Sequence, residues 1–414
     1  MIHLIIENVG PIVKANLSFK KYNFLIGPQS SGKSTIAKIF STCSWVEKEV
    51  ATTLDEKVIS DGNQFIKQVE DFHKMSGYFS VSSIVKYESE SLSLSLENSE
   101  LKIKMNPSLN YSRQKISYIP SDRNMVSVPG LNGLELEATS LRSFLFDWFK
   151  ARNSYPLSQK AEILNLGVNY YYDSREQTFK DRIEHTNGNT YHISLYCASS
   201  GLQSVIPLVL MLRYFSEDYY LNDAFNTSFD NSERNRLLRE RLVDLLVLEP
   251  LYPGYSDADR YQLLREINDK LADYESDYIA AMTRFDQKYK QITTPVATRF
   301  IVEEPEQNLF PYTQIQLVEY LLQKSESGRV HSITVTTHSP YIINALNVLL
   351  LRHYKDDKKL GINPDDLSVY SVQDGFVLDL VQENTKTGYK SVNVDNLFDA
   401  MHDLYTEYRE LKRM

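Results

Sequence analysis

Cysteine is scarce: only Cys43 and Cys197 occur in 414 residues. Two residues cannot build a disulfide framework, and the pair shows no metal-ligand spacing. Long apolar runs are missing too. The best candidate, residues 205–212, falls far short of the roughly 18 residues that a membrane span needs. Residues 1–7 have a strand-like pattern and lack the basic start and small-residue cleavage site of a secretion signal. The expectation is a cytoplasmic chain without a membrane partner. Basic charge is not in excess either. Lys and Arg number 45 against 54 Asp and Glu, a net charge of −9. That argues against a large basic surface for nucleic acid, although local patches leave direct nucleic-acid binding open. There is no internal repeat and no low-complexity tract. What remains is ordinary globular composition, 42% hydrophobic and 24% charged, with enough chain for two or three domains' worth of core.

The most informative stretch is Gly27-Pro28-Gln29-Ser30-Ser31-Gly32-Lys33-Ser34, followed by Thr35. It matches the phosphate-binding pattern G-x4-G-K-[ST] at every position. Residues 22–26 read as an apolar strand before it and residues 35–40 as a helix after it. Glycines let the backbone turn so that several N–H groups point at one anion, and the helix adds its positive end. Lys33 is placed to reach the β- and γ-phosphates of ATP, and the Ser34 hydroxyl to ligate Mg²⁺.

Along the chain, residues 3–6 and 12–19 read as strands around the turn 8–11. Residues 46–75 read as helical, and residues 78–105 alternate with period two, as half-buried antiparallel strands do. Residues 116–120 form a further short strand. Residues 134–165 return to a helical pattern with Leu141, Phe144, Leu145, Trp148 and Phe149 on one face. Residues 168–195 are β-like again. Residues 213–292 are polar, Tyr-rich and helical. Leu264, Ile267, Leu271, Tyr274, Tyr278, Ala281, Phe285 and Ile292 make a narrow seam that predicts a coiled-coil helix. Residues 233–248 are its predicted partner across a turn at Pro250, Pro253 and Gly254. Two ordinary helices inside the domain are the competing reading. Strands at 299–303 and 332–336, separated by a helix at 313–324, make a parallel βαβ unit. A last helix is expected over 394–411. The expected organisation is thus a discontinuous core, 1–212 and 293–414, with a helical arm inserted at 213–292.

Three further motifs bear on the same site. The apolar strand at 300–302 ends in Glu303 and Glu304. Glu303 takes the place of a Mg²⁺-binding acid, and Glu304 is placed to orient or deprotonate the attacking water. The longer side chain at 303, Glu where Asp is usual, adds one methylene to the metal geometry. His338, at the end of the next strand, can touch the γ-phosphate. Ser200 and Gly201 open an apolar helix, with Gln203 just inside it, and make a second anion site. One triphosphate does not need two such sites in one chain, whereas two head-to-tail copies do. Taken alone, Ser200 reads as a helix cap.

These motifs, in this order, resemble the ABC-type ATPases, with Ser-Gly-Leu-Gln in place of the usual Ser-Gly-Gly-Gln signature. The wording of residues 301–311, with 118–123 and 337–340, looks like the OLD/PtuA-like branch, close to the SMC ATPases. The resemblance covers most of the chain except residues 213–292. It implies an α/β P-loop NTPase of ABC type, with a mixed and parallel sheet core, an antiparallel β-subdomain and a helical-hairpin insertion. It also implies ATP and Mg²⁺ as cofactors, a homodimer or higher even oligomer closed around ATP, and a loop at Glu306 that faces the other subunit. Many members of that family come from bacterial anti-phage systems, and the resemblance implies that their ABC cores control a nuclease. No clear Q-loop glutamine is found; residues 118–123 occupy its approximate place. Residues 339–414 contain Asp365, Asp366, Asp374 and Asp379 but neither a Toprim nor an HNH pattern. The expected effector is therefore a separate HNH or Toprim protein. An ATP-holding scaffold with little turnover is the alternative. A transporter subunit fits less well, because residues 204–302 separate the signature from the acids.

Overall fold

The computed structural model describes residues 1–106, 110–131, 136–221, 233–251, 276–355, 360–394 and 399–412, together with Ser256 and Asp259. Its strands are β1 (Ile2–Val9), β2 (Ile12–Phe19), β3 (Tyr22–Ile26), β4 (Ile84–Glu88), β5 (Leu92–Glu97), β6 (Glu100–Met105), β7 (Gln114–Ile119), β8 (Ala161–Glu162), β9 (Val168–Tyr172), β10 (Asp181–His185), β11 (Tyr191–Ser194), β12 (Ala297–Glu303), β13 (Ser332–Thr337), β14 (Leu367–Gln373), β15 (Phe376–Asp379), β16 (Val381–Glu383) and β17 (Lys390–Val392). Eleven of them form one mixed sheet in the order β6-β5-β4-β1-β2-β15-β14-β3-β13-β12-β7. Strands β14, β3, β13, β12 and β7 run parallel. Strands β1, β2, β4, β5 and β6 pair antiparallel, and the two halves meet where β15 lies parallel to β2. The fold is α/β with a mixed sheet, an antiparallel β-subdomain and helical insertions, as expected.

The two halves differ in sequence for a physical reason. A parallel sheet is covered on both faces, so its strands are apolar on both sides. All of β3 and β12 is buried, and alternate residues feed two separate cores. Phe24, Phe300, Val302 and Val335 face one core. Leu25 and Ile301 face the other. The helices Ser200–Arg213, Pro311–Ser325 and Pro340–Tyr354 supply the first. The P-loop helix Lys33–Thr53 supplies the second. β5, by contrast, alternates buried Leu92, Leu94 and Leu96 with more exposed partners, the pattern of a sheet with one wet face.

Two expected helices are shorter than their patterns. Residues 46–75 hold two, Lys33–Thr53 and Gly62–His73. The first stops at Leu54, which takes a left-handed φ of 51°. The second starts at Asp61, whose side chain accepts the Gln64 N–H at 2.9 Å. Among the described residues of 134–165, Ser140–Ala151 is the one α-helix. Pro156 follows, and β8 pairs there with β9, so sheet pairing overrides the helical pattern. β8 to β11 form a separate antiparallel sheet of four strands.

In the 213–292 stretch, the helix Ser200–Arg213 continues through Tyr214–Asp218 and Tyr219–Leu221. The helix Glu233–Val243 continues through Asp244–Leu248, and Ser276–Thr293 lies against it. Tyr278, Ala281, Phe285 and Ile292 share one buried cluster with Leu238, Leu242 and Leu248. Leu264, Ile267, Leu271, Tyr274, Pro253 and Gly254 lie outside the described residues. The last helix is described over Asp399–Leu411. No helix among the described residues is long and apolar enough to cross a membrane.

Candidate nucleotide site

The parallel strands end at one edge of the sheet. Ile26 of β3 pairs with Thr337 of β13, Thr336 with Glu303 of β12, and Val302 with Ile119 of β7. The loops that begin at Gly27, His338, Glu304 and Pro120 therefore emerge side by side. In open α/β sheets this carboxyl edge is where ligands bind.

The loop 27–32 is built around two glycines. A Cβ on Gly27 would sit 2.1 Å from the Val372 carbonyl oxygen of β14, and one on Gly32 2.3 Å from Ile12 Cδ1. Gly32 also has a φ of 107°, which glycine alone adopts without strain. The Lys33 amine folds back and donates to the carbonyls of Gly27 at 2.9 Å and Pro28 at 2.7 Å. Burial pulls its pKa down to about 8, against the opposing pull of Glu304 and Glu306. A phosphate oxygen offers this ammonium a better partner than neutral carbonyls.

At the end of β12, the Glu303 carboxylate is buried. One oxygen accepts the Ser121 N–H at 3.4 Å, and the other, Oε1, is buried without a partner. A buried acceptor of this kind fits a hydrated Mg²⁺ held with Ser34, so the donor set suits the ion that the motifs imply. Glu304 has a left-handed φ of 44°, and its N–H is tied to the Thr336 carbonyl at 2.9 Å. Its Oε1 lies 3.5 Å from His338 Nε2. The acid and the histidine expected to meet the γ-phosphate are thus brought together.

The side chain of Glu306, in a loop expected to face a second subunit, points inward. Its carboxylate accepts the His338 N–H at 2.5 Å, and burial raises its pKa.

Arg123 is a site residue that sequence reasoning missed. Its guanidinium is fully buried. It donates to the carbonyls of Glu303 at 2.7 Å, Glu304 at 2.7 Å, Pro120 at 3.2 Å and Ser204 at 3.1 Å. It therefore joins the exit of β12, the turn after β7 and the helix that starts at Ser200. The only sequence signal was its place in the 118–123 stretch. In that stretch it is the Ser121 N–H that reaches Glu303, and burial plus the Glu303 charge raise the Tyr118 pKa.

The helix Ser200–Arg213 is capped by Ser199, which accepts the Leu202 N–H at 3.5 Å. Ser200 is exposed. A Cβ on Gly201 would lie 2.7 Å from the Asn308 carbonyl oxygen, so this turn packs on the loop after Glu306. The Gln203 amide donates backwards, to Tyr196 at 2.8 Å and Leu195 at 3.2 Å. No hydrogen bond among the described residues joins Ser200, Gly201 or Gln203 to the P-loop of the same chain.

No protein-family model matches the chain, and no curated protein is similar to it in sequence. Solved structures of similar shape are found. The SMC head domain from Thermotoga maritima is 10% identical, with a TM-score of 0.39 over 92% of this chain and 98% of that one. The recombination mediator protein RecF, as RecF-ATPrS, is 12% identical, with a TM-score of 0.31 over 91% and 97%. An ATP-binding cassette of an ABC transporter, in its ADP conformation, is 11% identical, with a TM-score of 0.27 over 91% and 90%.

Proposed function

We propose that this chain is an ABC-type ATPase that binds Mg²⁺-ATP in the 27–35 loop and closes as a homodimer around it. The observation that carries this reading is the meeting of four loops at one sheet edge. The loops that begin at Gly27, Pro120, Glu304 and His338 emerge there side by side, and Glu304 and Glu306 act on the Lys33 amine. In this reading Gly27 to Thr35 cradle the phosphates, while Lys33 neutralises the β- and γ-oxygens. Ser34 and Glu303 hold Mg²⁺, which would draw charge from the leaving oxygen. Glu304 takes a proton from the attacking water, or orients it, and His338 donates to the γ-phosphate. Ser200, Gly201 and Gln203 act on the nucleotide of the partner copy. This is supported by the exposure of Ser200 and by its lack of any hydrogen bond to its own P-loop. The effector is a separate protein, a nuclease of HNH or Toprim type in anti-phage defence, as the motif resemblance implies.

The test is self-association and turnover of the full chain. Glu304→Gln should trap an ATP-dependent dimer by light scattering, and Ser200→Arg should remove it while ATP binding to the monomer persists. A dimer that forms without turnover in the unaltered chain would favour the ATP-holding scaffold instead. Absence of ATP-dependent association in both forms refutes the sandwich.

A further inference from the structure

The helix Pro311–Ser325 lays an apolar stripe on the sheet. Leu317, Val318 and Leu321 of that stripe are core residues. Gln314 stands on the same stripe, with those three at i+3, i+4 and i+7, and is buried with them. An amide in such a place is costly unless both of its ends are bonded. Both are. Its Nε2 donates to the Leu309 carbonyl at 2.8 Å, and its Oε1 accepts the Ser339 hydroxyl at 2.5 Å. The Leu309 carbonyl can only accept, which fixes the end of the amide that faces it. The Ser339 oxygen in turn accepts the N–H groups of Tyr341 at 3.2 Å and Ile342 at 3.3 Å, where the helix Pro340–Tyr354 begins.

These bonds join two turns of the nucleotide edge. Leu309 belongs to the loop that leaves Glu304, and its N–H is bonded to the Glu306 carbonyl at 3.0 Å. Ser339 directly follows His338. From the same loop, the Glu306 carboxylate holds the His338 N–H. The backbone on either side of the His338 side chain is thus tied to the loop after Glu304. Glu306 makes one tie directly, and Gln314 makes the other through Leu309 and Ser339. The second tie needs a donor and an acceptor on one neutral side chain, which an amide supplies. The loop also seats the turn at Ser200. Gly201 packs on the Asn308 carbonyl, and the Ser204 hydroxyl donates to Gln307 Oε1 at 3.4 Å.

We propose that Gln314 is a positioning residue for hydrolysis, one that acts through His338. It holds the His338 turn against the loop of Glu304, so that the imidazole keeps its place beside that carboxylate when the Ser200 turn engages a partner copy. The inference rests on the ATPase reading of the site, and the experiment separates the two.

Phosphate release by the full chain is measured for Gln314→Leu, His338→Ala and the double variant. Gln314→Leu keeps a side chain in the core position and removes both bonds. It should lower kcat at least tenfold, while KM stays within about threefold. The double variant should be no more than about twofold slower than His338→Ala alone, because residues that act through one another do not add. A merely structural residue would change the folded fraction seen by circular dichroism and leave kcat per folded molecule unmoved. Gln314→Glu covers the case in which the Leu variant folds poorly. A protonated carboxyl donates to Leu309 and accepts from Ser339, whereas a carboxylate cannot donate. Burial raises the pKa of such an acid, so its kcat relative to the unaltered chain should be higher at about pH 6 than at about pH 8.5. The inference is overturned by unchanged kcat in folded Gln314→Leu, by losses that multiply in the double variant, or by a ratio for Gln314→Glu that does not vary with pH. If the unaltered chain releases no phosphate, the ATPase reading fails and this inference falls with it. Release that Glu304→Gln abolishes and Gln314→Leu spares overturns this inference alone.

Discussion

His338 Nε2 stands 3.5 Å from Glu304 Oε1, although the two residues follow different strands. The register of β12 and β13 sets this distance, through Glu303 opposite Thr336. A bond from the Glu304 N–H to the Thr336 carbonyl also helps to set it. An acid held beside an imidazole at the point where a γ-phosphate would arrive is suited to steer a water. Glu304→Gln keeps the shape and removes the base. Phosphate release should fall by about 10² to 10⁴, while ATP affinity measured by calorimetry stays within a few-fold. Unchanged turnover would exclude Glu304 from proton transfer.

Glu306 carries a pH signature. Its carboxylate is buried and its pKa raised, chiefly by burial, against the bond from the His338 N–H. An acid with a raised folded pKa favours the protonated form in the folded state. Its stabilising contribution is complete below the ordinary carboxylate pKa of 4.5 and is lost as pH climbs through the folded value. Glu306→Gln keeps an acceptor for His338 and abolishes the ionisation. In chemical denaturation, the unaltered chain should lose stability relative to the Gln variant as pH rises from 4.5 towards 8. Parallel profiles would show that the group does not titrate.

Lys33 makes the opposite kind of case. Burial lowers its pKa to about 8, with Glu304 and Glu306 pulling the other way. A bound triphosphate raises it again, so ATP binding takes up a proton once the free chain has lost it. Affinity should therefore be flat from pH 7 to about 8 and then weaken by up to about tenfold per pH unit. Lys33→Arg, which stays charged throughout, should flatten that slope even if its affinity is lower. A Kd independent of pH between 8 and 9.5 in the unaltered chain contradicts this assignment.

Much of the nucleotide edge was legible because its chemistry is local. A glycine loop that must approach Val372 and Ile12 closely, and a strand that must be apolar on both faces, leave direct marks in the residue order. The limits of helices at Leu54 and Ala151 were less visible, because the pattern continues past the point where a left-handed residue, or the chain's turn into a sheet, ends the element. β14 went unread altogether. Leu367–Gln373 lies parallel to the P-loop strand, yet its residues alternate with Ser and Tyr and carry no motif. Long-range pairing alone makes it a central strand. Arg123 was hidden for a similar reason. Its partners are backbone carbonyls, one from its own turn and the others from two distant segments, and carbonyls leave no trace in a sequence.

That same arrangement gives Arg123 the largest expected effect outside the nucleotide contacts. Its pKa is lowered by burial only to about 10, so it stays protonated at neutral pH, and four carbonyls compensate the buried charge. Arg123→Met removes the donor fork but leaves the carbonyls of Glu303, Glu304, Pro120 and Ser204 without it. Breaking such a buried charged network costs about 3–5 kcal/mol. Arg123→Lys keeps the charge but not the planar fork, and should cost about 1–3 kcal/mol, as lost charged hydrogen bonds do. Both are read from urea midpoints. The turnover of the folded Lys variant separates two roles. If Arg123 only stabilises, phosphate release per folded molecule is unchanged. If it also aims Glu304 by holding that residue's own carbonyl, release falls at least tenfold with ATP affinity preserved, and that is the expected result.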